Sequence, residues 1–228
     1  MSLYSCLLFF SIIVPLLLSF ENKLQFYKKW IYILPAITIV AIVYIACDVY
    51  LTAIGVWGFN SLYHSNIMIF GLPFEEWLFF IVVPYASIFI HESIQLYFPK
   101  YKLSLRTTKF ISLFFTILFI VIAVYFFDKI YSLYSSILML LTLFINWLDK
   151  NKILSIYYIT FLIILVPFLI VNSILTGTGI EQEVVWYNNN ENLNIRLLTI
   201  PMEDFAYGFS MIYFSIWISE KLKTKLKK

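Results

Sequence analysis

Two acidic pairs carry the chemistry that this sequence can offer. They read Pro73-Phe74-Glu75-Glu76 and Pro201-Met202-Glu203-Asp204, and each stands at the head of a long apolar run. Proline is favoured in the first turn of a helix, and acids near a helix N-terminus interact well with its dipole. Either motif alone therefore reads as a helix start. Capping explains one acid better than two side by side, and ionisable groups at a membrane boundary tend to mark functional sites. Two carboxyls in low-dielectric surroundings do not both ionise easily, and such a set titrates together. A neutral carboxyl beside a carboxylate can give a proton and take one back.

The neighbours of these acids extend the pattern. Asp48 and Asn172 close earlier apolar runs on what the charge pattern makes the same side. Trp57, Phe79, Phe80 and Tyr207 lie close by in sequence, and helical spacing puts Glu75 with Phe79, and Glu203 with Tyr207, on shared faces. An interfacial aromatic belt accounts for many of the aromatic residues. A few π-faces around a cavity would instead stabilise a developing cation. His91-Glu92 falls near the far end of its run and reads as a structural pair. His64 falls in a loop with no catalytic partner in view, and Cys6 and Cys47 read as small apolar residues without metal-ligand spacing.

The elements that must position these groups are transmembrane helices. Of 228 residues, 62% are hydrophobic and only 13% charged, too few polar groups to cover a water-soluble surface. The runs suggest seven spans at approximately 3–20, 30–47, 73–97, 108–127, 131–148, 152–175 and 201–219, each near the length that crosses a bilayer. The first has no basic segment before it and no small-residue cleavage site after it, so it reads as a span and not a signal peptide. Fourteen of the 16 basic residues fall on alternate connections, leaving Lys129 and Arg196 on the other side. The positive-inside rule then expects the N-terminus outside and the C-terminus in the cytoplasm. A net charge of +3 gives no reason to expect nucleic acid as a partner, and no Gly-rich phosphate loop, zinc-ligand cluster or nucleophile elbow is present.

The acidic pairs belong to a longer internal repeat. Asp48-Val49-Tyr50-Leu51-Thr52-Ala53-Ile54-Gly55 matches Asn172-Ser173-Ile174-Leu175-Thr176-Gly177-Thr178-Gly179, each running from a span into an outer loop. The spacing between copies lengthens by four residues before the acids recur, which assigns four extra residues to the second loop, within 187–194. The expected architecture is all-α: about seven transmembrane helices, built from two parallel three-helix repeats, 1–99 and 131–228, with a linker helix in 100–130. Parallel repeats usually build one site at their interface.

The two Pro-x-Glu-Glu/Asp motifs, preceded by Asp48 and Gly55-x-Trp57, resemble the lycopene cyclase domain of the heterodimeric and fused type, and the resemblance covers essentially the whole chain. The second copy departs from the first: Asn172 replaces the aspartate, Glu181 falls at the tryptophan position, and Gly208 stands where Phe80 does. The resemblance implies a lycopene-like polyene as substrate, the bilayer as its solvent, and room for association with other enzymes of the carotenoid pathway. It also implies proton-initiated cyclisation of a linear ψ-end to a β-ring without redox change. Neither a cofactor nor a metal is expected. The implied catalytic set is Glu75, Glu76, Glu203, Asp204 and Asp48, with Trp57, Phe79, Phe80, Tyr207 and Asn172 around the substrate. Another terpenoid cyclase or carotenoid end-group enzyme would use the same acids. A small transporter would show parallel repeats too, but with its site near the bilayer midplane.

Overall fold

The structure, a computed structural model, describes residues 1–149 and 153–226. Lys150, Lys152, Lys227 and Lys228, four of the basic residues used to orient the chain, lie outside them. The described residues form seven helices: α1 Leu3–Leu18, α2 Trp30–Ala53, α3 Phe74–Tyr97, α4 Leu105–Tyr125, α5 Ile130–Leu148, α6 Ile153–Leu175 and α7 Met202–Leu226. Five segments are long and apolar enough to cross a membrane, namely 26–53 (α2 with the short 3-10 turn before it), α3, α4, α5 and α6. The fold is the all-α, polytopic kind that the composition requires.

Local chemistry explains where the helix ends depart from the apolar runs. The side chain of Ser104 accepts from the N–H of Thr107, so α4 begins at Leu105 and not at 108. Ser2 does the same for α1 through Ser5. Helix α2 does not stop before Asp48 but continues to Ala53. It closes where Gly55 takes φ +77°, a left-handed conformation that favours glycine, and Val56 N–H reaches back to Leu51 C=O at 3.0 Å. Asp48 therefore sits inside a helix, not in a loop. Helix α7 runs on to Leu226, past the end of its apolar stretch, with Lys221 paired to Asp149 at 2.9 Å.

Packing relates the two halves. Helix α1 lies against α3 as α5 lies against α7, α2 packs on α7 and α6 on α3, and α3 meets α7. Helix α4 packs chiefly on α5 and buries only Thr108, so it presents an apolar surface almost all round, as a lipid-facing helix does. The loops join the halves at one end. Strands β1 (Trp57–Phe59) and β4 (Val185–Tyr187) pair antiparallel, with Gly58 opposite Trp186. Asn60 N–H donates to Val184 C=O, and Asn188 N–H donates to Val56 C=O, both at 2.9 Å. The hairpins β2 (Met68–Ile69) with β3 (Leu72–Pro73), and β5 (Arg196–Leu197) with β6 (Ile200–Pro201), each lead into an acidic helix start.

This pairing relocates the extra residues of the second loop. Val184 N–H donates to Leu175 C=O as Val56 does to Leu51, so by Val184 the spacing between halves has already lengthened. The insertion lies within 176–183, ahead of β4, and not within 187–194. Glu181 is an exposed residue of that insertion; the counterpart of Trp57 across the strand pair's centre is Val185.

Candidate active site

Both acidic pairs are pinned by the same scaffold. Glu75 accepts from Ser2 Oγ at 2.7 Å, Ser5 Oγ at 2.9 Å, Ser65 N–H at 2.7 Å and Ser65 Oγ at 2.9 Å. Glu203 accepts from Ser132 Oγ at 2.6 Å and Leu193 N–H at 2.7 Å, while its Oε2 has no partner among the described residues. Ser5 and Ser132 occupy matching places on α1 and α5, and Ser65 and Leu193 matching places in the loops. The first acid of each pair thus ties the head of its helix to the first helix and the loop of its own half.

The second acid of each pair faces elsewhere. Tyr4 donates to Glu76 Oε2 at 2.5 Å, and Tyr131, at the matching place on α5, donates to Asp204 Oδ1. Tyr187 adds a second phenol to Asp204, on Oδ2 at 3.0 Å. Desolvation and the neighbouring Asp204 carboxylate push the Tyr187 hydroxyl well above the usual phenol range, so it stays a donor. Asp48 accepts from Trp57 Nε1 at 2.6 Å, and its Oδ2 is buried without a partner among the described residues.

Glu76, Asp204 and Asp48 line a single cavity between the halves, together with Tyr4, Tyr131 and Tyr187. All five candidate carboxylates are at most 8% exposed. Glu75 and Glu203, however, do not line the cavity. Among the expected substrate neighbours, Trp57, Phe79, Tyr207 and Asn172 reach the wall. Phe80 does not; it is fully buried behind Tyr44, with ring centroids 6.4 Å apart.

The wall is aromatic and hydrogen-bonded on one flank and apolar on the other. Trp57 meets Tyr131 edge-on at 5.0 Å, Tyr131 stacks on Tyr187 at 5.8 Å, and Tyr207 meets both Trp57 and Tyr131 at about 6.5 Å. Phe79, Val83, Phe168, Leu175 and Met211 contribute carbon. Tyr4, Tyr131 and Tyr187 escaped the sequence reading. The signal for the first two was present, because the dipeptide Tyr-Ser opens both α1 (4–5) and α5 (131–132). It is too short to register until the acids it serves are known.

The arrangement can hold one carboxyl neutral beside others, surround a cation with π-faces, and expose an apolar molecule to both. The match to a family model fits that chemistry: the model described as lycopene cyclase matches residues 1–94 and 128–222, leaving out the whole of α4. No curated protein and no solved structure matched. With its match spanning most of the chain, this protein belongs to the lycopene cyclase family, whose business is the cyclisation step of carotenoid biosynthesis.

Proposed function

We propose that the chain is a membrane-embedded cyclase that converts the linear ψ-end of lycopene to a β-ring, with Glu76 and Asp204 as the proton-transferring pair. One acid protonates the terminal carbon–carbon double bond. The resulting tertiary cation is attacked by the neighbouring double bond, closing the ring and moving the charge onto it. A carboxylate then removes a ring proton and restores a double bond. The proton gained equals the proton lost, so the reaction is an isomerisation with no electrons transferred.

The observation that carries this reading is the cavity itself. It joins three carboxylates from three helices with an aromatic wall, and it lies where the two halves meet. Asp204 accepts two phenolic hydrogen bonds, a setting that suits a carboxylate acting as base. Glu76 accepts one and is assigned the acid. Asp48, fixed by Trp57, adjusts the shared charge. The faces of Trp57, Tyr131 and Tyr207 stabilise the cation without trapping it as a nucleophile would. Glu75 and Glu203 build the frame.

The seven helices span the membrane as two parallel three-helix units joined by α4, with the cavity at the outer end and the C-terminus in the cytoplasm. Lys29–Glu92 and Lys221–Asp149 lie at the opposite end from the acids, in keeping with the basic bias. Expression in lycopene-accumulating cells tests the reading: the red pigment should turn orange-yellow. Turnover in D2O should leave about one solvent deuterium per ring formed, as general-acid protonation of carbon requires. Unchanged lycopene, or ring formation without solvent hydrogen, would refute it.

A further inference from the structure

The acidic cavity has an apolar neighbour on one flank. A second, apolar cavity runs between α1, α3 and α6, and Val83, Phe168 and Asn172 line both it and the acidic one, so the two adjoin. It follows α1 from Leu7 to Pro15 and α6 from Asn172 back to Ile164, about 12 Å of helix rise. Its far end meets the outer surface of the bundle, where Phe10 and Val14 are exposed.

The internal repeat places a corresponding path between α5, α7 and α2, and there it is filled. Tyr44, Phe80, Leu138 and Met211 form a buried cluster, with Tyr134 and Phe214 packed against it. Matching residues between the halves explains the difference. Leu7 stands for Tyr134, Ser11 for Leu138, Val83 for Met211, Ala86 for Phe214 and Gly208 for Phe80. At the four α1 and α3 positions the smaller residue is on the groove's helices, and Gly208, on α7, leaves room beside Phe168 where Phe80 fills the space beside Tyr44. The smaller residues fall on both facing helices, α1 and α3, whereas the α6 lining does not follow the trend, since Ile170 stands for Ala46.

We infer that the α1–α3–α6 groove binds the unreacted arm of the polyene while the end group sits among the acids, and that substrate enters from the lipid by this side alone. The inference rests on the cyclase reading. Its occupant is an extended, apolar chain continuous with the reacting end, which is what a groove without ionisable lining that adjoins the acid cavity accommodates. The filled counterpart leaves α2, α5 and α7 as a fixed wall, so the two halves do not take turns.

The test uses full-length protein in liposomes loaded with graded amounts of lycopene. Val14→Trp closes the mouth from an exposed position, and Leu141→Trp makes the same change at the matching exposed position of α5. Ala86→Phe installs inside the groove the residue that fills the other side. Val14→Trp and Ala86→Phe should lower the rate at limiting lycopene by at least about tenfold, the loss expected when burial of a few carbons is forfeited. Leu141→Trp should leave it unchanged. Full rate in Val14→Trp, or an equal loss in Leu141→Trp, overturns the one-sided groove and leaves lipid as its occupant. Ala86→Phe is read only if it remains monodisperse in detergent, and Val14→Trp decides the matter without it. Absence of rings from the unaltered protein would instead strike the cyclase reading itself.

Discussion

The half built from α1–α3 and the half built from α5–α7 hold their acids by the same means and surround them differently. Tyr4 and Ser5 serve Glu76 and Glu75 as Tyr131 and Ser132 serve Asp204 and Glu203. Around that shared frame the first half adds Asp48 with its Trp57 donor, whereas the second has Asn172, bonded to Phe168 C=O, and Val185. The second half adds Tyr187 on Asp204 where the first has Phe59. Duplication supplies two carboxyls at one level of the bundle; divergence makes them unequal. Under the proposed mechanism that inequality decides which carboxyl starts as acid and which as base, a choice that mutual repulsion alone leaves open in a symmetric pair.

The comparison can be broken most severely at Asp204. Asp204→Asn should lower turnover per folded molecule at least about a hundredfold, the scale of a lost general base. Assayed as ring product against folded protein, a loss under tenfold would remove Asp204 from the chemistry. Asp48→Asn makes the first half resemble the second at this position. It keeps an acceptor for Trp57 and removes a charge, so the rate should fall about tenfold, the size of one pKa unit of altered interaction. An unchanged rate would reduce Asp48 to a packing role. Tyr187→Phe copies Phe59 into the second half and deletes one of two donors to Asp204. It should cost only about 1 kcal/mol, a factor of roughly five in rate, and a greater loss than that of Asp48→Asn would reverse the ordering.

Much of this comparison was readable in the sequence, and the reason is the solvent. Lipid demands long apolar runs, so the seven helices and the charge bias stand out without any knowledge of packing. The two Pro-x-acid-acid motifs marked the right helix starts because acids in such runs are rare. What could not be read is direction. Adjacent residues on a helix point about 100° apart, yet nothing in Glu75-Glu76 says which faces Ser65 and which faces the cavity. Phe80 and Gly208 posed the same difficulty: one is core and the other helps form the cavity wall. The spacing at the two ends of the second loop does not say where its extra residues lie, and the β1–β4 pairing supplies the middle mark.

Division of labour within each acidic pair is the central claim, and neighbouring residues of one helix allow it to be tested with one substitution made twice. Glu75→Gln and Glu76→Gln should be compared for ring formation per folded molecule and for folded yield. Glu75 has all of its hydrogen bonds within the frame, so Glu75→Gln should lower stability by about 1–3 kcal/mol through donors left unpaired, with the rate per folded molecule nearly unchanged. Glu76→Gln should leave folded yield close to that of the parent and reduce the rate at least about a hundredfold. Equal losses of rate, or the larger loss at Glu75, would contradict the account.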